Sequence, residues 1–307
     1  MRNAFARTLT RLAQEDPRVV LLSGDIGNRL FDPFKAVAPE RFFNCGVAEA
    51  NMTGMAAGMA MMGLRPFSYT IAAFVTTRCL EQIRVDVCYH RQPVTIVGVG
   101  AGLSYASLGA THHACEDIAL LRALPEMQVI CPADAFEVEA ALEAVLAQDR
   151  PAYIRLGKKN EPLIHAARPA FTIGQALPLR AGRDLCLLAC GTHTVQALEA
   201  CEILAERGIS AAVYSFHTVK PLDLDCLRAV FSLFPLVATI EEHSLIGGFG
   251  AAVAEWLVDQ PAPPKARLLR FGTPDHFPHT AVRRQDLWQA WGLTAAQMAE
   301  TLARTLA

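Results

Sequence analysis

One carboxylate, Glu49, stands at the head of the segment 49–62, which carries no other charge. A helix that is apolar all round is normally buried, so Glu49 either caps the helix or holds a shifted pKa for proton chemistry. His112 and His113 adjoin in the run Gly109-Ala110-Thr111-His112-His113-Ala114-Cys115-Glu116-Asp117. Such a pair can ligate metal, move protons or sit solvated. Zinc needs three or four ligands, with only Cys115 and Glu116 nearby. A near-neutral imidazole suits proton transfer or a bond to a substrate hydroxyl. Phe74, beside the polar Thr76-Thr77-Arg78 turn, either fills core or offers a ring face to a flat ligand. Two glycine clusters, Gly98-Val99-Gly100-Ala101-Gly102 and Gly247-Gly248-Phe249-Gly250, resemble phosphate cradles, yet neither completes the dinucleotide fingerprint. Tight strand-to-helix turns use glycine in the same way. There is no P-loop, GxSxG elbow or HExxH, and the spacing of Ser104, His112 and Asp117 does not favour a hydrolase triad.

The elements that must position these groups alternate. Short apolar runs at 19–23, 94–99, 128–131 and 152–155 read as strands, and helical patterns fall at 46–62, 76–90, 115–124 and 134–148. Continuous apolar strands alternating with helices imply parallel sheets covered on both faces. Pro162, Pro169 and Pro178 mark a linker. The rhythm then restarts, with strands at 185–189, 212–216, 236–240 and 268–271 and helices at 193–207, 222–232 and 249–258. The expected fold is α/β with two domains, each a mostly parallel sheet flanked by helices, over 1–160 and 182–307, joined by a linker at 161–181.

With 52% apolar and 19% charged residues in a chain of 307, extensive burial is expected, part of it in subunit contacts. A formal charge of −2 leaves no basic footprint for nucleic acid. No uncharged apolar run has the roughly 18 residues that a membrane span needs, and the amphipathic start does not read as a signal peptide. Nine cysteines, with no CxxC pair, predict a reduced, cytoplasmic protein.

In order and spacing, several segments resemble the carboxy-terminal half of the transketolase family, which includes 1-deoxyxylulose-5-phosphate synthase and uses thiamine diphosphate. They are Ser23-Gly24-Asp25, Cys45-Gly46-Val47-Ala48-Glu49, Thr111-His112, Glu116-Asp117, Cys131-Pro132-Ala133-Asp134, Tyr153-Ile154-Arg155, Lys220-Pro221-Leu222-Asp223 and Glu241-Glu242-His243. The resemblance implies a pyrimidine-binding domain followed by the family's C-terminal domain. It implies that Glu49 bonds N1′ of the cofactor's aminopyrimidine, with burial raising its pKa and the helix dipole opposing that. Asp25, Phe74 and Arg78 complete the implied cofactor set, Phe74 stacking on the ring. His112 is implied to contact the reacting part of the substrate, with Arg29, Arg155 and Lys158 as anion-binding candidates and no metal ligand in this chain.

The family's diphosphate and magnesium motif, Gly-Asp-Gly followed by asparagine, belongs to its amino-terminal half; Gly24-Asp25-Ile26-Gly27-Asn28 only echoes it. The resemblance therefore implies a split transketolase. An N-terminal subunit would hold magnesium (or calcium) and diphosphate, most simply in an α2β2 heterotetramer acting on sugars or sugar-like substrates. Three positions depart from the family pattern: Leu108 replaces an aspartate, Gly100 a histidine, and Arg29 a phosphate-binding serine. They put the standard sugar phosphates in question. The leading expectation is transfer of a two-carbon ketol unit from a ketose to an aldehyde. The alternatives are decarboxylative condensation of the deoxyxylulose-phosphate type and a non-catalytic regulatory or scaffolding subunit; a 2-oxo acid dehydrogenase beta subunit fits Thr111-His112 less well.

Overall fold

The computed structural model describes residues 1–27, 29–262, 264–279 and 282–306; Asn28, in the Gly-Asp-Gly echo, lies outside them. In chain order the strands are β1 (Val19–Ser23), β2 (Phe42–Asn44), β3 (Arg65–Ile71), β4 (Thr95–Val99), β5 (Gln128–Ile130), β6 (Ala152–Leu156), β7 (Leu177–Arg180), β8 (Leu185–Ala189), β9 (Ala211–Ser215), β10 (Thr218–Lys220), β11 (Leu236–Ser244) and β12 (Arg267–Thr273). They form a seven-stranded sheet in the order β10-β5-β6-β4-β3-β1-β2 and a five-stranded sheet in the order β12-β11-β8-β9-β7. Every pairing is parallel except β10 with β5 and β7 with β9.

Alternation along the strands explains the layering. Val19 and Leu21 point into one apolar cluster, and Val20 and Leu22 into another. In the second sheet Leu185, Leu187 and Ala189 face an outer cluster, while Cys186 and Leu188 face inward. The inward cluster is shared: Ile96, Val129 and Cys131 of the first sheet region meet Cys186, Phe216 and Val237 of the second. Both domains therefore pack on one common core. All nine cysteines are free thiols. Among the described residues no helix is long and apolar enough to cross a membrane.

Three features differ from the sequence reading. The central strand β3, Arg-Pro-Phe-Ser-Tyr-Thr-Ile, is buried along its whole length although it looks polar, and Pro66 argues against a central strand. β7 joins the second sheet from within the expected linker, and β10 returns to edge the first sheet, so the second half of the chain begins pairing at Leu177. The helix expected at 76–90 is broken into Ala72–Thr76, Leu80–Gln82 and a π-helical Ile83–Tyr89. Because the first piece begins directly after β3, Phe74 and Arg78 stand at that strand's carboxyl end.

Candidate active site

β2 and β3 both follow β1 in the chain but lie on opposite sides of it. That reversal opens a crevice at the carboxyl ends of the strands, where α/β sheets bind ligands. At the end of β1, a Cβ on Gly24 would lie 2.9 Å from Thr70 Oγ1 and 3.7 Å from Glu49 Cγ. Glycine thus lets the three segments converge. Asp25 follows with φ of 57°, exposed, and accepts a 2.9 Å bond from Asn44 Nδ2, which ties the ends of β1 and β2 together.

Glu49 opens the helix Glu49–Met61 and is 1% exposed. The N-cap is Ala48, with no side-chain cap, so the carboxylate is not spent on the helix end. It accepts instead a 2.7 Å bond from Arg78 Nη1. The Arg78 guanidinium lies 5.0 Å from the Phe74 ring centroid, and Phe74 meets the His112 ring edge-on at 5.1 Å. His112 in turn lies 5.8 Å from Tyr105, whose face carries the Lys158 ammonium at 4.4 Å. A continuous row results, from a buried carboxylate through two aromatic rings and an imidazole to a cation. Its members come from the ends of β2, β3, β4 and β6. Thr70 Oγ1, beside Gly24, is buried with no hydrogen-bond partner among the described residues.

Burial, with the nearby His113 and Lys158 charges, holds the His112 imidazole below its ordinary pKa. It is therefore mostly neutral at pH 7, and its Nδ1 pairs with Thr111 Oγ1 at 2.9 Å. Leu108, half exposed in the turn Ala106–Leu108, adds no polar group to the same loop. Among the described residues no group of three or more His, Cys, Asp or Glu side chains is placed to hold a metal ion.

Two members of the expected set stand apart. Arg155, read from the sequence as an anion-binding candidate, is 4% exposed inside β6. Its Nε donates to Asp117 Oδ2 at 2.7 Å, and its Nη2 donates to the carbonyls of Ala114 and Glu242 at 2.8 and 3.0 Å. The guanidinium is thus committed to the protein's own groups, because an arginine in a buried central strand must find its acceptors inside. Arg29 is exposed on the turn after β1, and among the described residues its side chain joins none of the contacts in the row.

The glycine clusters serve packing. A Cβ on Gly98 would meet Tyr153 Oη at 2.6 Å, and one on Gly100 would lie 1.9 Å from the Tyr105 ring. A histidine at position 100 is thus incompatible with Tyr105 where it stands. At the second cluster the start of the helix Phe249–Val258 is filled by the protein's own Glu241, whose carboxyl oxygens accept the amides of Phe249 and Gly250 at 2.7 Å each. Tyr105 was missed from sequence; its only signal is an aromatic just beyond a glycine cluster that ends a strand. A separate cavity of about 560 Å³, lined by Arg84, Cys88 and Tyr89 among others, lies beside the segments entering β4 and β5 and shares none of these residues.

Two family models cover the chain: the transketolase pyrimidine-binding domain over residues 1–162 and the transketolase C-terminal domain over residues 174–298. An apulose-4-phosphate transketolase subunit from Phocaeicola vulgatus is 36% identical over 276 residues, covering 89% of this chain and 87% of that protein. A 6-deoxy-6-sulfo-D-fructose transketolase subunit of a Clostridium species is 37% identical over 300 residues, covering 97% and 92%. A solved structure described as a split gene transketolase, inactive beta4 tetramer, superposes with a TM-score of 0.88 at 37% identity, covering 99% of this chain and 97% of that one. With both domains matched in order along nearly its full length, the chain belongs to the transketolase family, as a carrier of its pyrimidine-binding and C-terminal domains.

Proposed function

We propose that this chain is the C-terminal subunit of a split, thiamine-diphosphate-dependent transketolase that moves a two-carbon ketol unit from a ketose to an aldehyde. The observation that carries the reading is the row Glu49, Phe74, His112 at the sheet's switch point. A flat, nitrogen-bearing ring fits there: a buried carboxylate for a ring nitrogen, an aromatic face, and the unpartnered Thr70 hydroxyl beside them. When bound, the cofactor supplies a carbon nucleophile at C2 of its thiazolium. In this chain Glu49 holds a proton at the aminopyrimidine N1′, displacing Arg78 from its carboxylate. Phe74 orients the ring, with Asp25 and Arg78 at the edges of the cofactor site. His112, neutral at pH 7, offers a ring nitrogen to a substrate hydroxyl. Lys158, at the far end of the row, receives an anionic tail.

The magnesium or calcium and diphosphate site is assigned to an N-terminal partner subunit, most simply in an α2β2 assembly. The relative described as an inactive beta4 tetramer supports the view that this half alone does not turn over. The relatives named for a sugar phosphate and a sulfo-sugar both point to ketoses with an anionic end. The test is reconstitution with a partner subunit carrying the Gly-Asp-Gly motif and assay of ketol transfer from phosphorylated, sulfonated and uncharged ketoses. Transfer by the pair and by neither chain alone is expected. Tight magnesium-dependent cofactor binding by this chain alone, or no transfer from any ketose, overturns the reading.

A further inference from the structure

The residues His112 and Tyr105 lie on the loop 102–114, closed at its base by a two-bond antiparallel bridge. Gly102 and Ala114 each donate an amide to the other's carbonyl at 3.0 Å. Both sides of that base are gripped from the other domain, at the end of β11. The Glu242 carboxylate accepts the Leu103 amide at 3.1 Å, and the Ser244 amide donates to the Cys115 carbonyl at 2.8 Å. Arg155 Nη2 bridges the Ala114 and Glu242 carbonyls. The approach is so close that a Cβ on Gly102, whose φ is +58°, would lie 2.3 Å from Glu242 Oε2.

The carboxylate itself is fixed from behind. Arg284 donates to its two oxygens through Nε and Nη2, each at 2.6 Å, and Trp288 Nε1 donates at 2.5 Å. Arg284 also reaches Thr192 Oγ1 at 3.0 Å. Beneath the loop, Leu103 and Ala106 pack on Leu287, with Trp288 and Trp291 alongside. A 1% exposed carboxylate with its arginine is not the most stabilising filling for such a place, since replacing a whole buried ion pair by apolar residues of similar volume often does as well or better. What an apolar residue cannot supply is a directional acceptor for the Leu103 amide.

We propose that Glu242 is a positioning residue through which the C-terminal domain sets the loop that carries His112 against the substrate. This rests on the assignment of His112 to the substrate under the proposed function. It gives the C-terminal domain a part in the active site although none of its side chains belongs to the row from Glu49 to Lys158.

The test compares Glu242→Leu, Glu242→Gln and Gly102→Ala in the assembled complex. The readouts are amide hydrogen exchange by mass spectrometry and the separate kcat and KM of ketol transfer. Loss of a hydrogen bond to a charged acceptor should speed exchange across 102–114 about tenfold or more in Glu242→Leu, with β4 unchanged. KM should rise by a similar factor and kcat should change less. Glu242→Gln keeps one acceptor oxygen for the Leu103 amide but turns an amide NH2 toward the Arg284 and Trp288 donors, so it should recover part of both losses. If Glu242→Leu fails to fold, Gly102→Ala disturbs the same contact from the loop side and should give the same loop-restricted change. Unchanged loop exchange, or equal loosening of loop and β4, overturns the clamp. Faster loop exchange with unchanged KM leaves the clamp standing and removes His112 from the substrate.

Discussion

Replacing Arg155 by methionine separates two roles that the sequence alone could not distinguish. In the structure Arg155 neutralises Asp117, which also accepts a 2.7 Å bond from Tyr153 Oη and is 1% exposed. Methionine fills much of the volume but leaves that carboxylate buried without its cation, a change that costs about 3–5 kcal/mol in comparable sites. The loss has an upper bound set by protonation. Holding an aspartate of ordinary acidity neutral at pH 7 costs about 4 kcal/mol, at about 1.4 kcal/mol per pH unit. The carbonyls of Ala114 and Glu242 lose a donor as well, adding about 1 kcal/mol each where water cannot enter. A total of about 5–6 kcal/mol is a large part of the stability of an ordinary domain. Because protonation relieves the stranded charge, the deficit relative to the native chain should shrink by about 1.4 kcal/mol for each pH unit between 7 and 5. Urea unfolding of both proteins at pH 7, 6 and 5 reads this directly. A variant as stable as the native chain, but with a raised KM for an anionic ketose, would refute the structural role and restore Arg155 to the substrate site.

Acid should weaken the fold through buried imidazoles. Burial holds His193 and His243 down to about 4, so the stability they contribute is complete above the ordinary 6.5 and is lost as pH falls through 4. Burial pushes Glu241 up to about 7, so its contribution is complete below 4.5 and fades as pH rises through 7. Between pH 6.5 and 4.5 the two histidines outweigh the one carboxyl, and these three groups together lower stability by about 1.4 kcal/mol per unit of acidification. His193→Gln should lessen the slope of stability against pH by about 1.4 kcal/mol per pH unit over that range in urea unfolding; an unaltered slope would contradict the assignment. Lys158→Met should raise KM severalfold for a ketose with an anionic tail and leave an uncharged ketose unaffected, the difference fading in high salt. Equal losses on both substrates would remove Lys158 from tail recognition.

Much of the fold is legible in the residues. β1, β4 and β8 are short apolar runs whose alternate side chains feed two cores, and such runs announce themselves. β3 does not: Arg65, Pro66, Ser68 and Thr70 look like surface, and only its two buried faces reveal a central strand. β7 and β10 are short edge strands of four and three residues, too brief for any period to show. At the site, Glu49 stands alone among apolar residues in the sequence but pairs with Arg78 in the structure, and that pair leads through Phe74 to the loop histidine His112 in one row. Arg155 reads as a free cation in the sequence because a strand's arginine shows its acceptors, here Asp117 and two carbonyls, only once the chain is folded. Tyr105 and the grip of Glu242 on Leu103 are long-range matters of tertiary placement. The second joins residues 139 positions apart, which no local spacing records.

The central claim is that Glu49 serves the cofactor's ring rather than the helix. Arg78, its partner, has a side chain 53% exposed, so removing the carboxylate strands no buried charge and Glu49→Ala should fold and assemble. The most direct measurement is hydrogen–deuterium exchange at C2 of thiamine diphosphate bound to the reconstituted complex, followed by quenched-flow NMR. Exchange about 10²–10⁴-fold slower in Glu49→Ala than in the native complex, with cofactor still bound, is expected of a lost proton partner. Exchange at the native rate would contradict the account.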